Sequence, residues 1–138
     1  MITYANTETT VKTWLMSTTV AALVTRPGGG INVFNAMPKG APLPAVVLFQ
    51  VSGGPSARKD LPEQAARIQF DCWAASRAQA SDIALQVCAE LDHLQRSVGP
   101  IIDGVYLGAA SAPTMLWLPD PDSDTPRYVV GALVVTVA

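Results

Sequence analysis

The chain has 138 residues, enough for one domain with its own core and too few for two. Only 14% are Asp, Glu, Lys or Arg, against about 25% in an ordinary soluble domain, while 49% are hydrophobic and the mean hydropathy is +0.28. A net charge of −2, a pI near 5.1 and nine scattered basic residues, densest at Arg58-Lys59, exclude a protein that grips nucleic-acid phosphates.

Taken from the start, Met1-Ile2-Thr3-Tyr4-Ala5-Asn6 has neither a basic region nor an apolar stretch, so no secretory signal is expected. Helical spacing of Val11, Trp14, Leu15, Thr18, Ala21 and Ala22 predicts a helix from about Thr7 to Thr25. Asn6 is its N-cap and Glu8 faces the positive end of its dipole. Pro27-Gly28-Gly29-Gly30 stops it. A short strand at Ile31–Asn35, a proline-rich loop at 37–44 and a strand at Ala45–Ser52 follow. Gly53 to Pro62 reads as an exposed, mobile hairpin tip that orders against a partner.

From Ala66 to Ala74 the residues alternate, with Ile68, Phe70 and Cys72 on one face and Arg67, Gln69, Asp71 and Trp73 on the other. Ser76-x-x-Gln79 opens a second helix, carried to about Arg96 by Ala80, Ile83, Ala84, Val87, Cys88, Leu91 and Leu94. Strands at Ile102–Ala109 and Met115–Leu118, a turn at Asp120–Pro126 and a β-branched strand at Tyr128–Val137 complete the chain. The last stretch is far short of the ~20 residues a membrane helix needs.

This order predicts an α+β domain over residues 1–138: a single mixed or antiparallel sheet with two helices packed on one face. The strands at 45–52 and 128–137 are apolar on both sides and therefore need cover on both. Two helices cannot supply it. Together with the charge deficit, this points to a face covered by a neighbouring subunit.

Motifs for catalysis or metal binding fail on inspection. Gly53-Gly54-Pro55-Ser56-Ala57-Arg58-Lys59-Asp60 lacks the glycine before the lysine and the Ser or Thr after it that a phosphate loop needs. Asp120, Asp122 and Asp124 suggest a calcium loop, but Thr125 and Gly131 stand where Gly and Glu are required. His93 is the only histidine and lies off the buried stripe that holds Cys88. Cys72 and Cys88 read as small buried hydrophobes. No nucleophile–base pair emerges, so no catalytic, cofactor or metal residue is assigned.

Three features together resemble the tail terminator or tail completion proteins of siphophages, particularly those infecting actinobacteria. They are the opening helix, the strand Gln64-Ala65-Ala66-Arg67-Ile68-Gln69-Phe70-Asp71-Cys72-Trp73-Ala74 with the alanine-rich helix after it, and Trp117-Leu118-Pro119-Asp120-Pro121-Asp122 followed by Pro126-Arg127-Tyr128-Val129-Val130. The resemblance implies a non-enzymatic virion protein, assembled in the host cytoplasm. It would form a ring, a hexamer, that caps the head-proximal end of the tail tube and joins tail to head. Implied partners are other copies of itself, the major tail tube protein and a head-completion or connector protein. DNA would only pass through the lumen, with no membrane and no cofactor. Other readings are a different head–tail connector, a minor tail protein, or a small oligomeric ligand-binding domain or enzyme. The residues assigned to partner contact are Arg58, Lys59, Arg67, Gln69, Trp73, Asp120, Asp122 and Arg127.

Overall fold

The computed structural model describes residues 3–40, 42–55 and 61–138. Among these, the elements run α1 (Thr7–Met16), α2 (Val20–Leu23), β1 (Val33–Phe34), β2 (Ala45–Pro55), β3 (Glu63–Trp73), α3 (Arg77–Arg96), β4 (Ile101–Ile102), β5 (Val105–Ala109), β6 (Thr114–Trp117) and β7 (Arg127–Val137). The fold is α+β, with one mixed sheet in the order β1-β2-β3-β7-β5-β4. β1 runs parallel to β2 and the remaining pairings are antiparallel. The far edge of β7 is shared: β5 takes residues 134–137 and β6 takes 128–131.

The first helix departs from expectation. It begins as predicted, with the Asn6 side chain accepting the Thr9 N–H at 3.1 Å, but stops at Met16. The Ser17 hydroxyl donates to Trp14 O at 2.6 Å and the Thr18 hydroxyl to Leu15 O at 2.7 Å, occupying carbonyls that a continuing helix would use. Such local side-chain bonds compete with helix propagation. The chain resumes helix only over Val20–Leu23, so three helices stand where two were predicted.

α3 keeps its predicted limits, and Ser76 Oγ accepts the Gln79 N–H at 3.2 Å. Ser76→Ala should therefore lower stability by ~1 kcal/mol in thermal melts while leaving helix content in the folded protein unchanged.

β2 runs on to Pro55, through residues expected to begin a loop. It bulges between Gln50 and Ser52, and Val51 at the bulge is 53% exposed. Gly53 is required there: its φ is +126° and a Cβ would collide with the carbonyl oxygen of Ala65 on β3. The expected single strand at 102–109 is a hairpin, β4–β5, turning at Asp103 (φ 48°) and Gly104 (φ 80°). Two consecutive positive φ values are the signature of the two-residue turn that Asp-Gly favours.

All helices lie on one side of the sheet. Val11, Trp14 and Leu15 of α1 share a core with Ile83, Val87 and Leu91 of α3. The sheet contributes Leu48, Ile68, Phe70, Cys72, Val130, Ala132 and Val134. Ile68, Phe70, Cys72, Ile83, Val87 and Leu91 thus occupy the common core predicted for them, each 1% exposed or less. Thr19 donates to Glu90 at 2.6 Å and accepts from Gln86 at 2.6 Å, tying α2 to α3. Cys88 corrects expectation: it is half-buried and packs at the core's margin.

Candidate interaction surface

Strand register sorts the side chains into two faces. Phe70 pairs with Leu48 and Val130 toward the helices. The alternate set faces away: Phe49, Gln69 and Gly131 in one row, Val47, Asp71 and Val129 in the next, then Ala45, Trp73 and Arg127. Among the described residues, no helix covers this outer face.

Four of the residues named for partner contact lie on it. Gln69, Trp73 and Arg127 form one cluster around Asp71. The Arg127 guanidinium sits 4.7 Å from the Trp73 ring centroid, its Nη1 is 3.7 Å from Asp71 Oδ2, and its Nε donates to Leu118 O at 2.8 Å. Gln69 Nε2 donates to Asp71 Oδ1 at 2.8 Å. Asp71, read from alternation as one of the face's polar residues, is only 7% exposed. The fourth, Arg67, is exposed and, among the described residues, makes no hydrogen bond or ion pair.

Asp120 comes near the cluster, lining a cleft of about 420 Å³ with Trp73, Met37, Leu43 and Thr125. Its carboxylate accepts the Asp122 N–H at 3.0 Å and the Ser123 hydroxyl at 2.9 Å. The Asp122 N–H first, then Ser123, holds the Asp120 carboxyl below its ordinary range. Asp122 is exposed on the same turn. Arg58 and Lys59, with the tip of the expected mobile loop, lie outside the described residues.

Removing Arg127 would strip the Trp73 ring, free the Leu118 carbonyl and leave Asp71 short of its cation. Arg127→Ala is expected to cost ~1–3 kcal/mol in urea unfolding.

Residue-by-residue reading missed the apolar part of this face. Val51 is 53% exposed, Leu116 59%, Leu118 46% and Ile101 73%, beside half-buried Val129, Leu133, Val135 and Val137 of β7. The charge deficit and the two-sided strands foretold that such a face exists. They could not say that short β6 and β4 contribute to it.

The two thiols are poor nucleophiles: burial pushes both Cys72 and Cys88 up, Cys72 far more. Among the described residues, no group of three or more His, Cys, Asp or Glu stands together to hold a metal ion. Nor is any helix among them long and apolar enough to cross a membrane. What the outer face offers is apolar area with a few oriented polar groups, which is the chemistry of docking.

The family profile described as "Tail completion protein gp17" matches residues 10–136, from α1 through β7. The chain belongs to that family. Its role is therefore that of a structural protein of a phage tail. A chain in the virion of a native gene transfer agent (GTA) particle has the same fold, with a TM-score of 0.57 over 94% of this chain and 92% of that one, at 21% sequence identity. No curated protein matches the chain.

Proposed function

We propose that this tail completion protein works by binding alone, as a ring of identical copies seated on the head-proximal end of a siphophage tail tube. Closing the ring leaves no open site for another tube subunit, so growth stops, and the ring's other side receives the connector of the filled head. DNA passes through the lumen without being gripped, in keeping with a net charge of −2. Hexameric closure is the expectation carried by the family resemblance.

The observation that carries this reading is the outer sheet face. One side of the sheet is packed under three helices, while the other leaves Val51, Leu116 and Leu118 between 46% and 59% exposed around Arg67 and the Trp73 cluster. A monomer gains nothing from such a face, whereas a ring buries it. An interface of ~800 Å² per partner is expected.

Leu116→Asp tests this directly. At 59% exposure the side chain contributes little to folding, so the variant should melt like the wild type. It should fail to form rings in sedimentation velocity and fail to cap tail tubes in electron micrographs. Wild-type assembly by this variant would overturn the reading.

A further inference from the structure

A ring needs two unlike surfaces on each copy. A face that meets only its own counterpart closes after two copies, whereas a head-to-tail contact can run round a circle. One surface is the outer sheet face. Across it runs a groove of about 230 Å³ whose apolar walls are Val51, Leu116 and Val129, with Thr114 over Gly131 and with Gln69 and Arg67 at its side. Arg67, which makes no hydrogen bond or ion pair among the described residues, is the one cation on this groove.

The second surface lies in the helical layer. Val98, just past the end of α3, is 92% exposed, more than any other large hydrophobic residue described. It borders a cleft of about 450 Å³ between the α1–α2 break and the C-terminal end of α3, where Trp14 and Leu94 are buried beneath it. Glu90 lines the same cleft, and its only partner among the described residues is the Thr19 hydroxyl. Asp92 is matched by Arg96 at 3.0 Å, whereas Glu90 has no ion-pair partner among the described residues, with His93 lining the same cleft. The last carbonyls of α3 add partial negative charge at this end.

Each copy thus carries an apolar groove with a free cation on one side of its sheet, and a naked apolar residue beside an unmatched carboxylate on the other. Because the sheet separates them, the two cannot meet within one copy. We propose that the α3–β4 corner of one copy docks on the outer sheet face of the next, with Val98 entering the groove and Glu90 meeting Arg67. The proposal rests on the ring reading and names its two surfaces.

A charge exchange tests it. Sedimentation velocity of the full chain, alone and with tail tubes, would compare Arg67→Glu, Glu90→Arg, their combination, and Val98→Asp. Each single variant should weaken ring assembly about tenfold or more, because like charges would then face each other or a charge would enter an apolar groove. The combined Arg67→Glu/Glu90→Arg variant should recover most of the loss, which a merely structural defect would not. Val98 is too exposed for its replacement to affect folding, so Val98→Asp stays readable whatever the charge variants do.

A double variant no better than the singles, or Val98→Asp assembling like the wild type, would overturn the proposal. If Leu116→Asp still abolishes assembly in that case, the ring reading stands and the outer face meets another occupant, such as the tube protein. A wild type that remains monomeric both alone and with tail tubes overturns both readings.

Discussion

Replacing Phe70 with alanine is expected to remove ~3–5 kcal/mol of folding stability, the largest effect of any single truncation considered for this chain. Phe70 is 0% exposed on β3, between Leu48 of β2 and Val130 of β7, with the helices above it. Its loss leaves a cavity where the long strands and the helical layer meet, and fully buried neighbours such as Ile83, Leu91 and Ile68 have little freedom to fill it. A domain of this size has ~5–15 kcal/mol in all, so the variant should stay folded at room temperature with Tm lower by roughly 10–20 °C. Differential scanning calorimetry measures this. A fall of only a degree or two would mean that the layer above Phe70 packs loosely.

Trp73→Ala is expected to separate folding from assembly. Trp73 lies on the outer face, half-buried, with the Arg127 guanidinium stacked on one side and the cleft shared with Met37, Leu43 and Asp120 beside it. Truncation forfeits the stacking, ~0.5–2 kcal/mol, so the melting point should move modestly. A core tryptophan would instead cost ~3–5 kcal/mol. If the proposed ring contact covers it, a central aromatic would contribute ~2 kcal/mol or more, and its removal would cost about 30-fold in association. Melting and tail-capping assays on the same variant therefore give opposite patterns for the two placements. A sharply lowered melting point with unchanged capping would put Trp73 in the core.

The α+β class, the limits of α3 and the division of β3 into a core face and an outer face were legible in the sequence, because each depends on neighbours within a few residues. Ser76 and Gln79 bond across one helical turn, and Ile68, Phe70 and Cys72 need only the two-residue period of a strand. The broken first helix was less legible. Val11, Trp14 and Leu15 announce helix correctly, but the same spacing runs on through Thr18 and Ala21, and periodicity does not register hydroxyls that take backbone carbonyls.

The candidate surface divides in the same way. Gln69, Trp73 and Arg127 could be named from residue type and alternation, yet their meeting is a matter of register. Trp73 lies opposite Arg127 only because β7 pairs with β3 along its full length, from Glu63↔Val137 to Trp73↔Arg127. That pairing also buries Asp71, which alternation alone marks as polar and outward. Asp120 and Asp122, also named for partner contact, are joined across their own turn, where the Asp122 N–H donates to the Asp120 carboxylate.

By itself, then, the sequence determined what local chemistry governs: helix starts, turns, strand phase, and a shortage of charge. Only the tertiary structure decided which strands lie side by side and therefore which residues share the uncovered face. Val51, Leu116 and Ile101 come from three strands far apart in the chain. Their gathering on one side depends on a bulge, a four-residue strand and a two-residue strand, each too short to carry a phase that sequence could reveal. Long-range pairing is set by the packing of the whole sheet against its helices, and no window of neighbouring residues contains that information.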